Sequence, residues 1–254
     1  MSLTVVLPTL NEAGNIPTLV EQIWALLPGT PIVVADDGSR DGTRDIVLAL
    51  VKAGQPIQLI ARAGKPCLTD SIWEGIEAAR TDYVAWMDAD LSHPPRLLPA
   101  LYEAAERSGC AIATRYAPGG RHKKGSKDTP DSVFAVVLSG VLNVLVRTVL
   151  RLNVTDYTSG FIVCRRDILA AHRLVGDYGE YFIELVYYLT RSGVDIVEIP
   201  YESPPRQWGE SKTGSSLWLL FRRGLKYLWL TLRLHFPRSL FGSLSLRQEP
   251  RKPS

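Results

Sequence analysis

Cysteine is scarce in this chain: Cys67, Cys110 and Cys164 are the only three among 254 residues. An odd number, widely spaced and in mostly apolar surroundings, speaks against a disulfide framework. It predicts reduced core thiols in a cytosolic setting, with no part in metal ligation. Charge of one sign is also short. A net charge of +3, with no basic patch interleaved with aromatics in a recognisable motif, gives no reason to expect nucleic acid as a partner. No uninterrupted apolar run reaches the ~18 residues of a membrane-spanning helix, and the first strand starts so soon after Met1 that no signal peptide is expected. With 46% hydrophobic and 22% charged residues, nothing suggests disorder before the last dozen residues. Residues 1–214 therefore read as one globular domain, 215–240 as an amphipathic appendage and 241–254 as a disordered tail.

What is present is a series of apolar strands, each followed by a helical pattern. Leu3 to Leu7 runs into Pro8, Ile32 to Ala35 into Asp36-Asp37, Ile57 to Ile60 into Ala61-Arg62, and Tyr83 to Met87 into Asp88-Ala89-Asp90. Helices are predicted from about Asn15 to Leu27, from just after Asp41-Gly42-Thr43 to about Ala53 and from about Asp70 to Arg80, the first stopping at Pro28-Gly29 and the second at Gly54. Alternating units with two-sided apolar strands indicate an α/β fold, a mainly parallel sheet covered by helices on both faces.

In such a sheet the carboxyl ends of the strands face the ligand crevice. Asp88-Ala89-Asp90 puts two carboxylates there, one residue apart, and a hard divalent ion is typically held by one or two carboxylates together with substrate phosphate oxygens. Taken alone, the pair is a weak signal and reads more readily as a solvated turn ahead of Pro94-Pro95. Two other strand ends point the same way: Pro8-Thr9-Leu10-Asn11-Glu12 and Asp36-Asp37-Gly38-Ser39-Arg40-Asp41-Gly42-Thr43, whose acids can accept hydrogen bonds from a base or ribose. Asp41 and Thr43 also suit a helix cap.

Two segments look directed at a membrane surface. Val133 to Leu152 carries no charge until Arg147. In Leu217 to Phe236, at 100° per residue, Arg222, Lys226 and Arg233 fall within about 40° of one another, opposite Leu217, Phe221, Leu225, Leu228 and Leu232. That is the pattern of a helix lying in the bilayer interface, or of one packed on the core with a solvated basic edge.

PTLNEAGNI, ADDGSRDGT, MDADLSHPP, ATRY followed by GG, VTDYTSGF and RQWGESKTG occur in this order. Across about residues 3 to 215 the chain thereby resembles the family 2 glycosyltransferases of the dolichyl- or polyprenyl-phosphate mannosyltransferase group. The resemblance implies a GT-A fold and inverting transfer of a hexose, first of all mannose from GDP-mannose, to a polyprenyl or dolichyl phosphate at the cytoplasmic face of a membrane. It implies that Pro8, Leu10, Glu12, Val34 and Asp36 line the nucleoside pocket. Asp88, Ala89 and Asp90 would hold the diphosphate with Mg²⁺ or Mn²⁺, Asp88 and Asp90 as metal ligands. Arg206 and Lys212 of R-x-x-G-x-S-K would clamp the same diphosphate from a loop that Gly209 and Gly214 allow to close. Arg115 would meet the acceptor phosphate, with Ser139 on the acceptor helix. Asp156, Thr158, Ser159 and Gly160 would form either the floor beneath the sugar or a structural turn. A lipid monophosphate is already anionic near neutral pH, so no general base is nominated.

Two departures qualify the likeness. Lys65-Pro66-Cys67-Leu68-Thr69-Asp70-Ser71 replaces K-x-G-L-G-x-A, losing two glycines and stiffening the loop. Ala135 stands where an arginine commonly precedes the acceptor-helix serine by four residues, leaving Lys123, Lys124 and Lys127 as the nearest basic substitutes. The competing readings are a UDP-sugar-dependent transferase with another acceptor, or a nucleotide-sugar-binding scaffold without turnover.

Overall fold

The computed structural model describes residues 2–122, 130–204 and 217–236. The chain runs β1 (Leu3–Thr9), α1 (Ile16–Leu26), β2 (Ile32–Asp36), α2 (Thr43–Lys52), β3 (Ile57–Ala61), α3 (Leu68–Ala78), β4 (Tyr83–Trp86), α4 (Leu98–Ser108), β5 (Gly109–Thr114), β6 (Arg121–His122), α5 (Pro130–Leu150), β7 (Ile162–Arg165), α6 (Arg166–Ala170), α7 (Tyr181–Arg191), β8 (Asp195–Pro200), β9 (Glu202–Ser203) and α8 (Leu217–His235). The expected early elements are all there, with ends shifted by one or two residues: α3 begins at Leu68 rather than Asp70.

The main sheet has the order β3-β2-β1-β4-β7-β5-β8, and β6 pairs with β9 in a separate two-stranded ribbon. β1, β2, β3 and β4 are mutually parallel. β7 runs antiparallel to both β4 and β5, while β5 and β8 are parallel. β7 is therefore the one reversed strand of this sheet among the described residues.

Strand alternation divides the core between two faces. Val5 and Leu7 point to the layer of α1, α2 and α4, where Ile16, Leu19, Val20 and Ile23 bury one stripe of α1 at helical spacing. Val6 points the other way, to the layer of α3, α5, α7 and α8. There α3 packs so closely that a Cβ on Gly75 would lie 2.3 Å from Val6 Cγ1, so only glycine lets this helix rest on β1. The GT-A expectation of a mainly parallel sheet with helices on both faces is met.

Candidate active site

The reversal of β7 makes one sheet edge chemically rich. β1, β2, β4, β5 and β8 all end on it, whereas β7 begins there. Glu12 follows β1, Asp36 closes β2, Asp88 to Asp90 follow β4, Arg115 follows β5, Tyr201 follows β8, and Asp156 to Gly160 lead into β7. The strand order also changes direction at β1, since β2 and β4 lie on its two sides. Open α/β sheets bind their ligands at such a switch point.

The loops after β1 and β2 are laced together. The Asp37 amide donates to Thr9 O at 2.9 Å, the Asn11 amide to Ser39 Oγ at 2.8 Å and the Arg40 amide to Asn11 Oδ1 at 2.8 Å. The Ala13 amide donates to Asp41 Oδ2 and the Glu12 amide to Thr43 Oγ1, both at 2.9 Å. Asp41 and Thr43 thus join two loops as well as opening a helix. Asn11 sits at φ 56°, the left-handed turn that delivers Glu12, whose Oε2 accepts Asn15 Nδ2 at 2.7 Å.

The Asp36 carboxylate is fully enclosed. It accepts hydrogen bonds from Thr9 Oγ1, the Gly38 and Ser39 amides, Ser39 Oγ and Arg44 Nε. Burial pushes its pKa up, but these donors, Ser39 and Arg44 foremost, bring it below the usual carboxylate range. In this arrangement Asp36 holds its own loop in shape. Asp37 is likewise engaged, by Arg62 and by the Cys67 amide at 2.9 Å. Cys67 occupies the place of a family glycine at φ −150°, ψ 111°, an extended conformation open to any residue, so that loss of glycine is tolerated.

After β4 the backbone is pinned by a histidine that sequence reasoning passed over. The Asp88 amide donates to His93 Nδ1 at 3.0 Å, and Nε2 lies 3.9 Å from Asp88 Oδ2. His93 is buried, stacked on Phe161 with ring centroids 5.0 Å apart. Leu91 at φ 64° turns the chain just after Asp90, whose Oδ1 accepts the Ser92 amide at 3.0 Å. A non-glycine residue held in this region marks a backbone constrained by its surroundings. The Asp88 side chain is 52% exposed, while Asp90 is buried. No group of three or more His, Cys, Asp or Glu side chains among the described residues could hold a metal alone. Two carboxylates at a strand end are nevertheless a donor set that fits a hard divalent ion shared with substrate phosphates.

On the far side of β7 a second polar cluster forms. Arg115 grips Asp156 with Nε to Oδ2 at 2.8 Å and Nη2 to Oδ1 at 2.9 Å, its amide adding a third bond at 3.1 Å. Nη2 also donates to Thr158 Oγ1 at 2.9 Å, which lies 3.1 Å from Ser139 Oγ. Tyr116 OH donates to Ser139 Oγ at 2.9 Å, and Asn143 Nδ2 reaches Thr158 Oγ1 at 3.2 Å. Asp156 is fully buried and the Arg115 side chain 15% exposed. Burial raises the Asp156 pKa, yet the charge and hydrogen bonds of Arg115 bring it below the usual range. The structure thus brings Arg115 and Ser139 together through Thr158, and it gives Asp156 a definite task as the counter-ion of Arg115. The guanidinium carries five N–H donors, and Nη1 makes no hydrogen bond among the described residues.

Pro8 is the penultimate residue of β1, Leu10 follows that strand and Val34 is the middle residue of β2. Arg206 and Lys212, the lysines 123, 124 and 127, and the tail 241–254 lie outside the described residues, as does the Ala135 side chain. On α8 the stripe Leu225, Leu228, Trp229, Leu232 and Phe236 is exposed. Leu230 and Thr231 turn inward, and Lys226 bonds Asp177 Oδ1 at 2.6 Å. α8 packs on α5 and α7, and the Val137, Val141 and Val144 side of α5 is exposed too. No helix among the described residues is long and apolar enough to cross a membrane.

The family model described as Glycosyl transferase family 2 matches residues 4–173, a span that holds the loops after β1, β2, β4 and β5. The chain belongs to glycosyl transferase family 2. Relatives match over most of the length of this family 2 protein. The undecaprenyl-phosphate mannosyltransferase of Micrococcus luteus is 30% identical over 92% of this chain and 98% of its own. The polyprenol monophosphomannose synthase of Mycolicibacterium smegmatis is 32% identical over 84% of this chain and 81% of its own. Among solved structures, glucosyl-3-phosphoglycerate synthase from Mycobacterium tuberculosis, in complex with Mn²⁺, UDP and glucosyl-3-phosphoglycerate, aligns with a TM-score of 0.63 at 22% identity. That alignment covers 91% of this chain and 78% of the other. At that identity it supports the fold alone.

Proposed function

We propose that this glycosyltransferase moves a hexose, mannose from GDP-mannose, onto a polyprenyl or dolichyl phosphate with inversion at the anomeric carbon, docked on the cytoplasmic face of a membrane. The observation that carries the reading is the pairing, on one sheet edge, of the Asp88–Asp90 loop with the Arg115–Thr158–Ser139 cluster. It is supported by whole-length likeness to relatives named for polyprenol-phosphate mannosyl transfer.

The laced loops after β1 and β2 would seat the nucleoside against Pro8, Leu10, Glu12 and Val34, with Asp36 holding the loop in shape. Asp88 and Asp90 would hold a divalent ion, Mg²⁺ or Mn²⁺, which when bound neutralises charge on the departing diphosphate. Arg206 and Lys212 would add positive charge to the same diphosphate. Arg115 Nη1 and Ser139 Oγ would orient the acceptor phosphate. That phosphate is an anionic nucleophile needing no protein base, so catalysis here is positioning and charge stabilisation. The exposed apolar stripe of α8, rimmed by Arg222 and Arg233, suits an interfacial helix.

Ala135, in place of an arginine, favours as a second reading a different phosphorylated acceptor or a UDP-sugar donor. Purified protein offered labelled GDP-mannose and UDP-sugars with polyprenyl phosphate in vesicles should give a mannosylated lipid phosphate from GDP-mannose alone. Lipid-linked product from a UDP-sugar instead would overturn the donor assignment, and no lipid product from any donor would refute the acceptor class.

A further inference from the structure

Tyr201 stands between the two halves of the site. Its amide donates to Thr114 O at 2.9 Å, which ties it to the residue preceding Arg115. Its ring meets His93 edge-on at 6.3 Å and Phe161 at 6.4 Å, which ties it to the imidazole that pins Asp88. The side chain is 3% exposed and its hydroxyl has no hydrogen-bond partner among the described residues. Ser203, close by, turns its own hydroxyl to Ser92 O at 3.4 Å. A buried hydroxyl left unpaired weakens a fold, and phenylalanine would pack this apolar nest without the penalty. An orphaned donor held rigidly beside the Arg115 cluster is explained when a ligand supplies the missing acceptor.

We propose that the Tyr201 hydroxyl is a further substrate-contacting group, donating a hydrogen bond to an oxygen of the acceptor's phosphate beside Arg115. The inference rests on the phosphate acceptor proposed above. Burial raises the pKa of this phenol, so it keeps its proton and can only donate to an anion. Its amide bond to Thr114 O sets it beside the residue that precedes Arg115. With Arg115 Nη1 and Ser139 Oγ, it would give the phosphate a third donor, from the residue that follows β8.

The test is Tyr201→Phe in the full-length chain, which removes one oxygen and keeps the ring. Calorimetric titration with a short-chain prenyl monophosphate, in the presence of nucleoside diphosphate and Mg²⁺, should show affinity reduced about tenfold or more. Loss of a hydrogen bond to a charged group should lower kcat/KM for polyprenyl phosphate by about ten- to a hundredfold. The KM for nucleotide sugar and the melting temperature should hold, or the latter rise. Unchanged prenyl phosphate binding and kinetics would overturn the proposal, as would a loss confined to the donor KM or one that tracks a fall in melting temperature. If the wild type binds prenyl phosphate but transfers no sugar, the functional reading fails, and the binding comparison decides Tyr201 by itself.

Discussion

Replacing Asp156 with alanine asks whether Arg115 is held for the substrate or merely stored. The carboxylate accepts three hydrogen bonds from Arg115 and two from Thr158, the latter at 3.0 and 3.1 Å. Removing it leaves a guanidinium only 15% exposed without a counter-ion. Breaking such a buried pair costs 3–5 kcal/mol, and the residual exposure of Arg115 argues for the lower end, about 3 kcal/mol. For a domain of this size that lowers the melting temperature by ~6–12 °C. The pH dependence has a defined sign. Arg115 holds Asp156 below the usual carboxylate range in the folded chain, so its contribution is complete above the unfolded-state pKa and lost as pH falls through the folded-state pKa. The difference between wild type and Asp156→Ala, followed by urea unfolding, should be flat from about pH 5 to 8 and shrink only in stronger acid. In a cycle with Arg115→Ala, the double variant should be more stable than the sum of the singles by at least about 1 kcal/mol, as expected for residues in contact. A cost below ~1 kcal/mol with no coupling would show that the pair is not what orients Arg115.

The acidic loop after β4 should prove indispensable for turnover: Asp90→Ala is expected to lower transfer about a hundredfold while the melt survives, and full activity in excess EDTA would sink the metal assignment. Arg206→Ala and Lys212→Ala should each reduce transfer severely yet shift stability by less than about 0.5 kcal/mol; loss of the cooperative melt in either would mark that residue as structural. On α8, the pair Trp229→Ser and Leu232→Ser should release the protein from anionic vesicles without unfolding it, because both side chains already face solvent. Wild-type binding should weaken with salt, each basic residue near the surface contributing on the order of 1 kcal/mol. Vesicle binding equal to wild type in the double variant would assign the stripe to something other than lipid.

Local pattern carried much of this protein. Two-sided apolar strands alternating with helical stretches suffice for a parallel sheet, and because parallel strands share one carboxyl edge, Glu12, Asp36 and the Asp88–Asp90 pair could be placed together before any coordinates. The stripe on α8 was legible for the same reason: a period of 3.6 needs only neighbours in sequence. What the tertiary structure alone decided are the contacts between residues far apart along the chain. Nothing in the sequence says that β7 inserts backwards between β4 and β5, and that reversal is what carries Asp156 to Arg115 and Phe161 to His93. The carboxylate of Asp36 looked available for a nucleoside, yet Thr9 and Arg44 enclose it. Tyr201 belongs to none of the motifs read from the sequence. Its significance lies in an unpaired hydroxyl, and pairing in a folded interior is a property of the whole surroundings, which no single stretch of sequence specifies.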